Sequence, residues 1–322
     1  MNQQRIVFLD RDSVIANVRR PSFEHVWSEF PATAAADAAA RLRQAGATIC
    51  ITNKVPLRAA DLEQLPQLQM IAVAATGTDI LDLAACRERG IAVSNIRNYA
   101  IHTLPEHTFA LMLALRRRLL EYRADIEAGL WPKSERFCLL EHPIADLAGS
   151  RLGLIGYGAL GKSVARIAQA FGMEVLVHTR SPLPDAKGDG VREAGYAEVL
   201  ETSDIVSLHL PLNDKTRNLI GAAELRRMKR SALLINTARG GLVNEAELAE
   251  ALKAGVIAGA GFDVLVQEPP PPDNVLLNLR LPNFILTPHT AWASGQAMQV
   301  LADQLIDNIE AWVAGAPRNV LA

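Results

Sequence analysis

Hydrophobic residues in the first 95 positions of the chain form short runs, and amphipathic stretches separate these runs. The apolar runs predict strands at Arg5–Asp10, Thr48–Thr52, Met70–Ala75 and Ile91–Ser94. The stretches between them have helical spacing and predict helices at Ala34–Gln44, Leu57–Leu65 and Leu81–Arg89. Short apolar strands that alternate with helices are typical of a parallel sheet covered on both faces.

A second block of the same kind follows residue 150. Its predicted strands are Leu152–Ile155, Glu174–His178, Ile205–His209, Ala232–Asn236, Ile257–Phe262 and Phe284–Thr287. Its predicted helices are Leu160–Phe171, Glu224–Met228, Glu245–Ala254 and, after the last strand, Gly295–Ala314. This alternation predicts a second parallel sheet.

The stretch between the two blocks reads as one long helix, His102–Gly129, with apolar residues at helical spacing through Phe109, Leu113 and Leu120. Residues 130–149 are irregular, and we interpret them as an excursion that packs on another surface, such as a second subunit. The pattern therefore predicts an α/β chain with two doubly wound parallel-sheet domains joined by long helices. The C-terminal helix is expected to return to the first block.

The composition narrows the class of protein. The chain has 322 residues, 49% of them hydrophobic, and a formal net charge of −2, which suits two globular domains and gives no reason to expect a nucleic-acid or membrane partner. Three scattered cysteines and a start without an apolar signal segment predict a reducing, cytoplasmic location. His102 and His107 fall on different helix faces, so no metal site is expected.

The segment RLGLIGYGALG, residues 151–161, carries the clearest motif. Gly156, Gly158 and Gly161 form G-x-G-x-x-G between a predicted strand and a predicted helix. Gly156 would permit the tight turn, Gly158 would let backbone amides approach a pyrophosphate, and Gly161 would let the helix pack on the strand. The strand, turn and helix in this order predict dinucleotide binding.

The end of the second strand of this block bears on the choice of cofactor. An acid at this point would accept from the 2′-OH of NAD, but the sequence has Thr179, Arg180 and Ser181 instead. These side chains can donate to a 2′-phosphate. We therefore expect NADP(H) to be preferred, or NADP(H) and NAD(H) both to be used.

Three polar residues follow predicted strands of the second block, namely Arg239, Glu268 and His289. The carboxyl ends of parallel strands meet at one sheet edge, so the three are expected to lie together. An Arg can hold a carboxylate with two hydrogen bonds, a His can deliver a proton near neutral pH, and a Glu bonded to that His fixes its tautomer. This set suits hydride transfer to a 2-oxo acid.

With these residues in place, the sequence resembles the D-isomer-specific 2-hydroxyacid dehydrogenase family over essentially its whole length. The matching stretches are AATGTDILDLAACRERGIAV, GYGALG, LLINTARGGLVNEAELAEAL, GFDVLVQEPP and ILTPHTAWAS. Within the family it is most similar to the glycerate dehydrogenase/hydroxypyruvate (glyoxylate) reductase branch, through ITNKVPL, FCLLEHPIADLAG and Trp292.

The resemblance implies catalytic and substrate-binding roles for individual residues. Arg239 would hold the substrate, His289 would be the acid/base, and Glu268 would support His289. The backbone of Thr76 and Gly77 would bind the substrate carboxylate, and Lys54 and Trp292 are further candidates for substrate contact.

The expected cofactor contacts are spread over the second block. Thr108 would lie near the diphosphate, and Asp263 would accept from the nicotinamide amide. The remaining candidates are Tyr157, Ala159 and Leu160 in the glycine turn, and His209, Pro211, Thr237 and Ala238 after later strands.

The resemblance also implies a domain plan and an assembly. Residues 1–98 plus 290–322 would form a flavodoxin-like substrate domain, and residues 99–289 a Rossmann nucleotide-binding domain that builds a homodimer.

There are two alternatives to a hydroxypyruvate or glyoxylate reductase. One is another 2-hydroxyacid dehydrogenase, such as a 3-phosphoglycerate dehydrogenase, although no chain remains beyond Ala322 for an added regulatory domain. The other is a non-enzymatic, nucleotide-sensing protein like the family's corepressors.

Overall fold

The computed structural model describes residues 3–180, 182–183 and 188–322. Ser181, for which the sequence predicts a cofactor contact, lies outside the described residues. The chain divides into two compact units. One consists of Met1–Tyr99 and Ala293–Ala322, and the other of Ala100–Trp292.

The first unit is built on a five-stranded parallel sheet with the order β2-β1-β3-β4-β5. Its strands are β1 Gln4–Phe8, β2 His25–Glu29, β3 Ile49–Thr52, β4 Met70–Val73 and β5 Ala92–Ser94. Its helices are α1 Ala38–Ala45, α2 Ala59–Glu63, α3 Leu83–Glu88 and the C-terminal α10 Gly295–Val313. The central strands β3 and β4 are buried at every position, which explains their continuous apolar runs.

The second unit contains a seven-stranded parallel sheet with the order β12-β11-β10-β9-β6-β7-β8. Its strands are β6 Arg151–Ile155, β7 Glu174–His178, β8 Arg192–Glu193, β9 Ile205–Leu208, β10 Leu233–Asn236, β11 Gly259–Phe262 and β12 Phe284–Leu286. The strand order reverses at β6, which lies between β7 and β9. Ligands of open α/β sheets bind outside the carboxyl ends of the strands at such a reversal.

The described residues of the second unit form six α-helices. They are α4 Thr103–Arg116, α5 Leu119–Glu127, α6 Ala159–Ala170, α7 Tyr196–Thr202, α8 Ala222–Arg227 and α9 Glu245–Lys253. Apolar side chains fill both faces of the sheet, for example Leu154 and Val164 on one face and Leu234 and Leu248 on the other. Across the described residues, no helix combines the length and apolar character needed to cross a membrane.

The prediction of two parallel-sheet α/β domains is confirmed, and each predicted strand is present within a few residues of its predicted bounds. The prediction of a single helix over His102–Gly129 was wrong. Arg118 adopts a φ of 54°, a left-handed conformation that an α-helix cannot contain, so α4 ends and α5 begins on its two sides. Strands β2 and β8 and helix α7 were not predicted.

Candidate active site

The glycine turn follows β6, and a close backbone contact excludes a side chain at two of its three glycines, Gly156 and Gly161. Gly156 has a φ of 100°, and a Cβ there would lie 2.3 Å from the carbonyl oxygen of His209. A Cβ on Gly161 would lie 2.5 Å from the carbonyl oxygen of Gly156, so only glycine lets α6 pack this closely on the turn.

Gly158, in contrast, faces open space at the start of α6. Unpaired N–H groups and the positive end of the helix dipole meet at this point, and they suit an anionic diphosphate. Ala159 and Leu160 form the first helical residues. Tyr157 is buried, and its hydroxyl donates to Asp189 Oδ2 at 3.2 Å. The residues present therefore fit a dinucleotide.

His209 borders the turn from β9. Its backbone carbonyl approaches Gly156 closely, and its ring Nε2 lies 2.9 Å from the Ser207 hydroxyl. Burial lowers the pKa of His209 to about 4, so the ring is neutral at pH 7. Pro211, two residues further on, is exposed.

The residues predicted to choose the cofactor stand beside the same turn. The backbone N–H of Gly156 donates to the carbonyl of His178, the last residue of β7, at 2.9 Å. Thr179, which follows directly, is half-buried and Arg180 is exposed. The structure thus places both residues next to the glycine turn, at the carboxyl edge of the sheet.

The segment after β10 is held by side-chain hydrogen bonds. Asn236 accepts from the Ala238 amide at 3.1 Å and donates to the Arg239 carbonyl at 2.8 Å. The Thr108 hydroxyl donates to the Leu104 carbonyl at 2.8 Å and lies 3.1 Å from the Thr237 hydroxyl, which connects α4 to this segment.

Gly240 brings the Arg239 segment against the loop that carries Glu268. A Cβ on Gly240 would lie 2.0 Å from the carbonyl carbon of Leu265, so the two backbones touch. The half-buried Arg239 guanidinium donates to the Ala238 carbonyl at 2.7 Å. Glu268 Oε1 accepts from the Leu265 amide at 2.9 Å, which fixes the carboxylate relative to the same loop.

Glu268 and His289 form a direct pair. Oε2 of Glu268 lies 2.5 Å from Nδ1 of His289, and both side chains are partly exposed. A carboxylate accepts and does not donate, so Nδ1 carries a hydrogen and Nε2 points away from the pair. This is the geometry expected for an acid/base histidine whose ring is oriented by an acid.

Asp263 binds the segment that carries His289 and is 1% exposed. Its Oδ1 accepts from the Thr287 hydroxyl at 2.5 Å and the Thr290 amide at 2.9 Å, and its Oδ2 accepts from the Ala291 amide at 2.8 Å. In the structure this carboxylate holds the loop on both sides of His289. Acceptance from a nicotinamide amide stays a prediction.

The first unit contains three of the other proposed substrate contacts, which follow the ends of β3 and β4. The buried Asp10 carboxylate accepts the amides of Asn53 and Lys54 at 2.7–3.1 Å, and burial raises its pKa. The Thr76 hydroxyl donates to the Ile96 carbonyl at 2.6 Å. Gly77 follows Thr76 in the same loop. The substrate roles of Lys54, Thr76 and Gly77 stay predictions, as does that of the half-buried Trp292.

Sequence reasoning missed several residues that hold these loops. Glu245 accepts from the Val266 amide at 2.6 Å and from the Asn274 side chain at 2.7 Å, and Thr287 and His107 flank Asp263. A polar residue at the end of a buried strand, such as Thr287, was an available signal. In the part of the chain that the structure describes, no group of three His, Cys, Asp or Glu side chains could hold a metal ion.

Comparisons with known proteins match this architecture. The family described as "D-isomer specific 2-hydroxyacid dehydrogenase, NAD binding domain" matches residues 109–291. A glycerate dehydrogenase of Methylorubrum extorquens is 54% identical over 318 residues, which cover 99% of each chain. The solved structure of a glyoxylate reductase from Paecilomyes thermophila is similar with a TM-score of 0.86 and 26% identity, over 100% of this chain and 99% of that one.

A further solved structure is an acyclic imino acid reductase in complex with NADPH and D-Arg. It has a TM-score of 0.84 and 29% identity, over 99% of this chain and 100% of that one. The chain belongs to the D-isomer-specific 2-hydroxyacid dehydrogenase family. It is an oxidoreductase of the CH-OH group that uses a nicotinamide cofactor, and the predictions of family, enzyme class and nicotinamide cofactor are confirmed.

Proposed function

We propose that the chain reduces hydroxypyruvate or glyoxylate to the corresponding 2-hydroxy acid, with NADPH preferred over NADH. The pair formed by Glu268 and His289 carries this proposal, because it supplies an oriented proton donor. The 54% identity to a glycerate dehydrogenase favours these two substrates within the family.

Each of the three residues has a separate task in this reaction. Arg239 binds the substrate carboxylate and carbonyl oxygen through its planar guanidinium. His289 delivers a proton from Nε2 to the C2 oxygen as the hydride reaches C2, and Glu268 stabilises the imidazolium that precedes this transfer. A bound nicotinamide cofactor supplies the hydride. The product is the 2-hydroxy acid, and His289 regains its proton from solvent.

The cofactor would be held by the glycine turn and α6, together with Thr108, Thr237, Ala238, His209 and Pro211. The preference for NADPH rests on Thr179 and Arg180, which follow β7 where an acid would select NAD. Lys54, Thr76, Gly77 and Trp292 are proposed substrate contacts.

Initial-rate kinetics test the substrate and the cofactor together. Hydroxypyruvate, glyoxylate, pyruvate and 3-phosphohydroxypyruvate are each assayed with NADH and with NADPH. We expect the highest kcat/KM for hydroxypyruvate or glyoxylate with NADPH, and His289→Ala to lower kcat by about 10²–10⁴. Normal cofactor binding without turnover of any 2-oxo acid would contradict the proposal and favour a nucleotide-sensing role.

We further propose a homodimer that forms through an apolar surface of the second unit, defined by the exposed side chains between positions 119 and 144. Phe137 is 92% exposed and Leu140 is 65% exposed. The other members are Leu119, Leu120, Ile126, Leu130, Trp131 and Ile144. Patches of this kind mark protein interfaces. Sedimentation of wild type and of Phe137→Asp/Leu140→Asp tests this, and a wild-type monomer would contradict it.

The cysteines are consistent with a reducing, cytoplasmic location. Cys50, Cys86 and Cys138 are all free thiols, and burial raises the pKa of Cys86 to about 11, which keeps it unreactive. Fractionation of cells that express the tagged chain tests the location.

A further inference from the structure

The hydroxyl of Thr287 determines how hydrogens are placed near His289. Its Oγ1 lies 2.5 Å from Asp263 Oδ1 and 2.9 Å from Nε2 of His107. A hydroxyl has one hydrogen, and a carboxylate can only accept, so Thr287 donates to Asp263. His107 must therefore donate to Thr287, which assigns a hydrogen to Nε2 of His107.

The loop that follows depends on these contacts. His289 has a φ of 55°, a left-handed conformation that is unfavourable for a residue with a side chain. Contacts on both sides keep it there, because Asp263 binds Thr287 before His289 and the amides of Thr290 and Ala291 after it. Any change in the Thr287–Asp263 contact thus reaches the His289 backbone.

Helix α4 carries His107, which donates the first hydrogen bond of the series from His107 to Thr287 to Asp263. His107 lies on α4, adjacent to Thr108, whose hydroxyl is paired with that of Thr237. The donor from His107 occupies one lone pair of Thr287 Oγ1 and directs its hydrogen to Asp263. Without that donor, the hydroxyl can turn toward the Phe262 carbonyl, which lies 3.3 Å away.

We propose that His107 is a positioning residue for His289, and that it acts through Thr287 and Asp263. The proposal rests on the proposed role of His289 as the proton donor. It requires only the Nε2 hydrogen of His107 and no titration of that ring.

Matched substitutions of His107 and Thr287 test whether these hydrogen bonds position His289. His107→Leu removes the donor, whereas His107→Gln keeps an N–H at similar reach. Thr287→Val removes the hydroxyl, whereas Thr287→Ser keeps it. We expect kcat for reduction to fall on the order of tenfold in the Leu and Val variants, because a small displacement of a reacting group is costly. The Gln and Ser variants should stay within about threefold of wild type, with KM and cofactor Kd near wild type throughout.

A double variant separates positioning from general destabilisation. If both residues act through the same hydrogen bonds to Asp263, kcat of His107→Leu/Thr287→Val should be no lower than kcat of Thr287→Val alone. Equal losses in the Leu and Gln variants, additive losses in the double variant, or weakened cofactor binding would overturn the proposal.

An NMR experiment on the histidine rings tests the positioning of His289 without depending on turnover. Long-range proton–nitrogen correlation spectra of the histidine rings should show the Nε2–H tautomer for His107. The His289 signals should move in His107→Leu and return in His107→Gln. If the wild type reduces no 2-oxo acid, the proposed function fails, and these spectra alone decide on positioning. Unchanged His289 signals in His107→Leu would overturn it.

Discussion

Glu268 touches His289 and its own loop with different oxygens. Oε2 lies 2.5 Å from His289 Nδ1, and Oε1 accepts from the Leu265 amide at 2.9 Å. Both partners present N–H groups, so the site needs two acceptors on one side chain. A carboxylate meets this need and a carboxamide does not.

The first prediction follows from this count of acceptors. In Glu268→Gln, the amide N–H₂ must face either Leu265 or His289, so either the loop loses a hydrogen bond or the imidazole loses its orientation. We predict a fall in kcat on the order of 10²-fold, with cofactor Kd near wild type. Steady-state kinetics and cofactor titration measure both.

Glu245→Gln is the matched control for this variant, because the hydrogen bonds found for Glu245 in the described part of the chain hold the same loop through Val266 and Asn274 and do not include His289. It should lose stability with a smaller change in kcat. Equal falls in kcat for the two variants would indicate that loop stability, and not the Glu268–His289 pair, explains the effect.

The second prediction concerns Gly240. A Cβ at this position would lie 2.0 Å from the Leu265 carbonyl carbon and 2.4 Å from the Val266 nitrogen. Gly240→Ala must therefore push apart the segments that carry Arg239 and Glu268. We predict a loss of about 2–3 kcal/mol in the free energy of unfolding and a parallel loss of activity.

Gly295→Ala provides the comparison, since nothing lies within 4 Å of a Cβ there and the residue begins α10. Its stability should be unchanged or slightly raised. Urea denaturation of both variants measures the difference. A Gly240→Ala protein as stable as wild type would show that the two segments are free to separate.

The third prediction is a pH dependence of stability in the first unit. Two hydrogen bonds from Arg19 and one from the Ser22 amide lower the pKa of Glu310 from 4.5 to about 2. Because the folded pKa is the lower one, the unfolded chain takes up the proton first as the pH falls. The stabilisation is complete above about pH 5, decreases below 4.5 and is lost near 2.

Glu310→Gln should therefore be less stable than wild type at pH 7, and the difference should shrink as the pH falls from 4.5. Urea titrations at pH 7, 4 and 3 measure it. Glu250→Gln is the control, because its 74% exposed carboxylate pairs with Lys253 in solvent and contributes little at any pH. A difference for Glu310→Gln that is constant with pH would contradict the assignment.

The site could be predicted from the sequence wherever one local rule decided the structure. Gly156 and Gly161 stand where a Cβ would collide, and the polar residues after β10 and β12 follow from the geometry of parallel strands. Contacts between distant segments gave no such signal. The partners of Asp263 are 24 to 28 residues further along the chain, and the left-handed φ of His289 depends on them.

The errors in the fold predicted from the sequence also have physical causes. Strand β2 is an edge strand with one neighbour, and it is only partly buried, so it lacks the apolar run that identified the central strands. The helical spacing that continued to Leu120 suggested one long helix. Leu119 and Leu120 are instead exposed after the break at Arg118, in the apolar surface that we propose as a dimer interface.

The last prediction concerns Arg180 and the choice of cofactor. Thr179 and Arg180 follow β7 beside Gly156, at the point where an acid would bind the ribose hydroxyls of NAD. A guanidinium bound to the 2′-phosphate contributes roughly 1.5–3 kcal/mol, and the exposure of Arg180 favours the lower end. At about 1.4 kcal/mol per factor of ten, Arg180→Ala should weaken NADPH about tenfold and leave NADH nearly unchanged. Thr179→Asp should go further, because its carboxylate repels the phosphate and accepts from the NADH ribose.

Arg151→Ala, at the opposite end of β6, is the control and should change neither Kd. Fluorescence titration with both cofactors measures the ratio. If Arg180→Ala weakens NADPH and NADH equally, Arg180 does not bind the phosphate, and the proposed preference for NADPH loses its main support.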